Sequence, residues 1–250
     1  MNTDQSVNKK SLSLNSELQQ ELNGFLSERF NHNLKAFQKY LPELASVFEN
    51  YTPKKKLDFC CGSNGIPNLF LSEEKSLFYK TDDPVSFCKN MILSLLRDAP
   101  FNISNYKYQE DDIGQIYDQY LNEALTKLNH FSPQKLKVKD LDIIPLALVA
   151  GVGLGYELGE LYERVDVENL IIVENDPDIF YASMHTFDWS NLLGYIFSGN
   201  HSIDIIIDYD PQSCLNAINQ IIESKGMYLG CSLFLVMHYL NDFIREFATV

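Results

Sequence analysis

The residues best suited to holding a small ligand lie in the stretch Gly151-Val-Gly153-Leu-Gly155. It follows a near-continuous apolar run over 143–150 and leads at once into helical spacing over 156–164. Glycine admits positive φ and lets a ligand approach the backbone, and a helix start presents amides carrying about half a positive charge. The next apolar run, 170–173, ends in Glu174, where a carboxylate can take both hydroxyls of a ribose. Gly151, Gly153, Gly155, Glu174 and Asp176 are therefore the candidate ligand-binding residues.

The acid at 174 disfavours a 2′-phosphate. The dinucleotide fingerprint also asks for Gly or Ala five residues after its first glycine, and that place holds Tyr156 counted from Gly151 or Leu158 counted from Gly153. NAD and FAD fit poorly. A G-x-G-x-G loop without the third close-packing glycine is the S-adenosylmethionine pattern, so a methyltransferase using that cofactor is the alternative reading. Glycines after a strand also serve a tight strand-to-helix turn that binds nothing. Glu174-Asn175-Asp176-Pro177 reads equally well as a helix entry, with Asn or Asp capping and Pro at N1. The fragment running from Ile203 to Asp208-Tyr-Asp-Pro211 lacks the Asn and second Pro of an amino-methylating motif, and reads as a strand entering a proline turn.

A second glycine stretch, Leu57-Asp-Phe-Cys60-Cys61-Gly-Ser-Asn64-Gly65, looks like a cofactor loop at first sight. It leaves no room for the required helix, because Pro67 and an apolar run to Leu71 follow directly. Asn-Gly marks a hairpin turn instead, and 57–61, 69–71 and 77–79 predict a small antiparallel meander.

Other chemistry is thinly represented. The cysteines, five in number, have no metal-ligand spacing and read as buried thiols. The histidines form no i,i+4 ligand pair, and neither a G-x-S-x-G elbow nor a P-loop is present. Trp189 reads as a core anchor. A formal net charge of −14 repels phosphate backbones and anionic lipid surfaces, so neither nucleic acid nor membrane is expected as a partner. With 45% hydrophobic residues and no 18-residue apolar run, the expectation is a cytoplasmic globular protein.

Three parts must position these residues: a flexible tail over 1–14, a helical plus β-meander region over 15–140, and a Rossmann-like domain over 141–250. Apolar spacing from Leu18 to Phe48 predicts two helices, or one broken near Asn31–Asn33. Pro84 opens a helix with Phe87, Met91 and Leu95 on one face, and a further helix is predicted over 111–130. Beyond 141, strands are expected at 143–150, 170–173, 195–198 and 203–207, and helices at 156–164, 177–186, 212–224 and 228–247. Apolar strands separated by single helices demand a parallel sheet covered on both faces. The fold class is α/β: a Rossmann-like, methyltransferase-like parallel sheet domain preceded by a helical and β-hairpin region.

The stretch 148–193 resembles the amino-terminal domain of the motility associated factor family, bacterial flagellin glycosyltransferases. The resemblance rests on Gly151–Leu161, of the form G-x-G-x-G-y-x-L-x-E-L, on Leu170–Phe180, of the form L-I-I-V-E-x-D-P-x-x-F, and on the pair Asp188-Trp189. Asn64-Gly65, Asn68-Leu69, Tyr79 and Asp83-Pro84 extend it to about 30–250. It implies transfer of nonulosonic acids to flagellin Ser/Thr by full-length members, a nucleotide-sugar donor, and flagellin as a protein partner, with oligomers possible. Family members are longer, and their presumed donor site lies in a following domain whose Gly-Pro-Ser-like loop is not found here. No family catalytic residue carries onto this chain, and catalytic residues stay unassigned. The resemblance implies an amino-terminal, non-catalytic or recognition portion, or a short relative.

Overall fold

The computed structural model describes residues 16–62, 64–72, 74–98, 143–225 and 232–236. The tail over 1–14 and the helix expected over 111–130 lie outside the described residues.

Helix α1 (Ser16–Tyr40) turns one stripe inward, burying Leu22, Leu26, Asn33 and Phe37. The stretch forms two helices, one of the two expected arrangements, and α1 runs unbroken through Asn31–Asn33, the place of the other. The Asn33 amide does not compete for the local backbone because it has distant partners: Nδ2 donates to the carbonyls of Met184 and Phe187 at 2.7 Å each, and Oδ1 accepts from Ser190 N at 3.0 Å. The break falls at Leu41 instead, held at φ −138 and ψ 65 by the proline that follows it. Helix α2 (Pro42–Phe48) then starts with that proline in its first turn.

Strands β1 (Asp58–Cys61), β2 (Pro67–Leu71) and β3 (Ser76–Leu77) form the antiparallel meander in the order β1-β2-β3. Cys61 faces Pro67, so the first turn spans residues 62–66, with Gly65 at φ 73 donating its N–H to Gly62 O. Helix α3 (Pro84–Asp98) is capped by Asp83, whose carboxylate accepts from Ser86 N at 3.1 Å. Its deepest residues are Cys88 and Ile92, one place on from the expected Phe87 stripe, and Phe87 is 40% exposed. The helix is rotated because Cys88 joins Tyr79 and Leu154 in one apolar cluster.

The parallel sheet runs β6-β5-β4-β7, built from β4 (Ile143–Ala150), β5 (Asp166–Glu174), β6 (Ser202–Ile207) and β7 (Ser232–Val236). Chain order thus reverses at β4, whose neighbours are β5 on one side and β7 on the other. In open α/β sheets ligands settle at such a switch point, beyond the carboxyl ends of the strands.

Helices α4 (Tyr156–Tyr162), α5 (Pro177–Thr186), α6 (Trp189–Ser198) and α7 (Pro211–Lys225) connect or cover the strands. Two expected elements are corrected. Residues 195–198 belong to α6 and not to a strand, since Trp189, Leu192, Leu193 and Ile196 recur at helical spacing behind an Asp188 cap. Residues 232–236 form β7 within what was expected to be a helix over 228–247. A five-residue apolar run has no period of its own, and pairing with β4 from Leu146↔Ser232 to Ala150↔Val236 decides the matter.

One sheet face, with Val149, Leu170 and Ile172, is buried under α1, α2, α5 and α6. The other, with Ala150, Ile171 and Val173, is buried under Cys214 and Ile218 of α7. The first core is aromatic at its centre: the Phe37 and Phe180 rings each lie 5.5 Å from Trp189, and Phe48 lies 5.1 Å from Phe180. Trp189 is fully buried, with Nε1 donating to Ser183 Oγ at 3.1 Å.

Candidate functional site

Between β4 and α4 the chain turns through Gly151, Gly153 and Gly155 at φ 88, 55 and 88. Few L side chains tolerate these values, which is why glycine stands at each place. Four of the loop amides donate within the protein. Gly151 N donates to Val173 O at 2.7 Å, Val152 N to Glu174 Oε2 at 2.9 Å, and Gly155 N to Val152 O at 2.9 Å. Leu154 N donates to the hydroxyl of Tyr79 at 3.2 Å.

Glu174 ends β5 beside this turn, as expected, but it is fully buried. One carboxylate oxygen accepts from Val152 N and the other from Asp176 N, at 2.9 Å each. The acid thereby clamps the glycine turn to the start of α5.

Tyr79, delivered by the meander, enters from the other side. It is fully buried, and its hydroxyl donates to Glu157 Oε2 at 2.7 Å while accepting from Leu154 N. Burial, and then the charge of Glu157, drive the phenol pKa well above its ordinary value, so the hydroxyl keeps its proton. A Cβ on Gly153 would sit 2.7 Å from that hydroxyl. The close approach that glycine permits here is therefore taken up by Tyr79. At Gly155 a Cβ would lie 2.4 Å from Cβ of Phe187, and Thr186 Oγ1 donates to Leu154 O at 2.8 Å.

Asp176 caps α5, accepting from Asp178 N at 3.0 Å, and pairs with Lys55 Nζ. Asp178 is buried and accepts from Tyr51 Oη at 2.6 Å, Lys54 N at 3.1 Å and Lys55 N at 2.7 Å. The two acids fasten the segment between α2 and β1 to the start of α5. Asp210 likewise caps α7, taking Ser213 N at 2.8 Å, so the stretch before Pro211 is a helix entry.

All five sequence-identified residues thus meet around the carboxyl ends of β4 and β5. Sequence reasoning missed Tyr79 and Glu157 as members of this constellation, and it missed Phe187 and Asn33. A signal existed for Glu157, an acid one residue into a helix whose neighbours Leu158 and Leu161 are core residues. Nothing in the sequence linked Tyr79 to a loop some 75 residues away.

Nucleophilic chemistry finds little support among the described residues. Cys60, Cys61, Cys88 and Cys214 are buried free thiols. Burial pushes Cys60 and Cys214 up to about 11 and Cys88 higher still, away from the reactive thiolate. No group of three or more His, Cys, Asp or Glu side chains among the described residues is placed to hold a metal ion. Nor is any described helix long and apolar enough to cross a membrane.

The family model for the glycosyltransferase Maf N-terminal domain matches residues 29–249. The chain belongs to this family. The fold is shared with the solved Maf glycosyltransferase from Magnetospirillum magneticum AMB-1, at a TM-score of 0.66 and 19% identity. That likeness covers 89% of this chain and 34% of the other, so the Maf domain described here spans about a third of its solved neighbour. No curated protein matches the chain significantly. Membership gives the chain a glycosyltransferase-related role.

Proposed function

We propose that this Maf domain is the amino-terminal, non-catalytic recognition portion of a cytoplasmic glycosyltransferase that modifies flagellin, its glycine turn serving to join the meander to the sheet. The observation that carries this reading is the double use of the Tyr79 hydroxyl, which gives its proton to Glu157 and takes the Leu154 N–H. The Leu154 N–H and the Glu157 carboxylate, which would otherwise face a ligand at the turn, are thereby engaged by the protein itself. Glu157 and Glu174, both fully buried beside the turn, also make it a poor seat for the phosphate of a nucleotide-sugar donor. Donor binding and transfer then belong to another part of the full-length enzyme, and flagellin recognition suits this one.

Calorimetric titration of the chain with S-adenosylmethionine and with CMP tests the first half. Neither should bind. Micromolar binding of S-adenosylmethionine would overturn the reading in favour of a methyltransferase using Gly151, Gly153, Gly155, Glu174 and Asp176. For the second half, immobilised chain should retain flagellin monomers, and a flat sensor response would sink the recognition role.

A further inference from the structure

The chain contains two Asn-Gly pairs, Asn23-Gly24 and Asn64-Gly65. Both asparagines are exposed at the surface. Asn-Gly is the dipeptide most prone to spontaneous loss of the side-chain amide, because the glycine offers no side chain to obstruct attack by its own backbone nitrogen. Solvent access does not separate the two pairs, but backbone geometry does.

Asn64-Gly65 lies in the turn between β1 and β2. Asn64 Oδ1 accepts the N–H of Ile66 at 3.1 Å, which folds the side chain over the intervening peptide and polarises the Cγ carbonyl. Gly65 sits at φ 73, outside the helical angles that Gly24 shares with α1, while at both glycines the space where a Cβ would stand is open. The restraint on the nucleophile is one hydrogen bond within the turn, from Gly65 N to Gly62 O at 3.1 Å.

Asn23-Gly24 lies inside α1. There the Gly24 N–H is engaged in the helix ladder, and helical backbone angles hold the nitrogen away from the preceding side-chain carbonyl. Asn23 Oδ1 also points back along the helix, accepting from Gln19 Nε2 at 3.1 Å.

We infer that Asn64 is a site of spontaneous deamidation in the folded protein and that Asn23 is protected from it by α1. The Gly65 nitrogen gives its proton to solvent and bonds to Asn64 Cγ. The bond from Cγ to Nδ2 breaks, and the amide leaves as ammonia, giving a cyclic imide. Water then opens the imide at either carbonyl, to aspartate or to isoaspartate, with no oxidant or reductant involved. Each product adds a negative charge to the turn, and isoaspartate also lengthens the main chain by a methylene between β1 and β2.

The test is incubation of the folded chain in mildly alkaline buffer, digestion, and mass spectrometry of the two peptides, with a parallel sample in denaturant. In the folded sample the Asn64 peptide should convert to a pair of isomeric acids while the Asn23 peptide keeps its amide. In denaturant both should convert. The inference is overturned if the folded Asn64 peptide stays intact while the denatured one converts, or if folded Asn23 converts as fast as Asn64. The variant Asn64→Gln, which leaves α1 and the sheet untouched, should abolish the turn peptide's conversion, and conversion surviving in it would equally refute the assignment.

Discussion

Replacing His185 by phenylalanine should remove a defined part of the protein's sensitivity to acid. His185 lies on α5 with its ring stacked on Phe30 at 4.6 Å and 15°, with Tyr181 edge-on at 4.9 Å and Phe59 at 5.6 Å. Its Nδ1 lies 3.3 Å from Leu26 O on α1. Burial among these rings penalises the imidazolium and outweighs the carbonyl's favourable pull, lowering the pKa from 6.5 to about 4. The unfolded chain therefore takes up the proton first. The contribution to stability is whole above about pH 6.5 and is lost as pH falls towards about 4. At 1.36 kcal/mol per unit, the loss is about 3 kcal/mol when complete, of which about 2 kcal/mol is reached by pH 5. Phenylalanine keeps the ring stack and does not titrate. Urea unfolding at about pH 7.5 and 5 should show the natural protein losing about 2 kcal/mol more than His185→Phe. Parallel losses in the two proteins would refute the reasoning.

Further outcomes follow from the same contacts. Asn33→Ala strands the Ser190 N–H and the carbonyls of Met184 and Phe187, and should cost about 2–4 kcal/mol in denaturant unfolding. Asn33→Asp should rescue little of this, because a carboxylate cannot donate to those carbonyls. Gly155→Ala adds a contact of 2.4 Å with Phe187 to the cost of φ 88, and should destabilise clearly more than Gly65→Ala. The latter has open space and should cost only about 1–2 kcal/mol, as thermal melts would show. Tyr79→Phe leaves the Leu154 N–H without its hydroxyl partner and should cost about 1–3 kcal/mol, with faster hydrogen exchange at that amide.

Three strands of the parallel sheet, β4, β5 and β6, and the glycine turn were legible in the sequence because they rest on local chemistry. Val, Ile and Leu runs bounded by Gly and Pro specify buried strands wherever they occur, and the turn at 151–155 needs residues that accept positive φ. The meander was legible for the same reason. What the sequence hid depends on partners far along the chain. Asn33 looks like a helix breaker until Met184, Phe187 and Ser190 give its amide somewhere to go. Ser232–Val236 looks like part of a helix until an unpaired edge of β4 meets it. Glu174 reads as a ribose ligand from its position, yet in the fold its oxygens take Val152 N and Asp176 N.

The turn over 186–190 is gripped from two directions, by Asn33 and Arg29 of α1 on one side and by Leu154 and the Gly155 backbone on the other. A fragment beginning at residue 141 would carry every glycine of the loop and every strand of the parallel sheet. It would lack Asn33, Arg29 and Tyr79, and with them the anchors that shape the loop. Dissection at that boundary would therefore take the Tyr79 hydroxyl from Leu154 N and Asn33 and Arg29 from the 186–190 turn, while the bonds of Gly151, Val152 and Gly155 stay within the fragment. The boundary legible in composition is crossed by the hydrogen bonds of Asn33 and Tyr79.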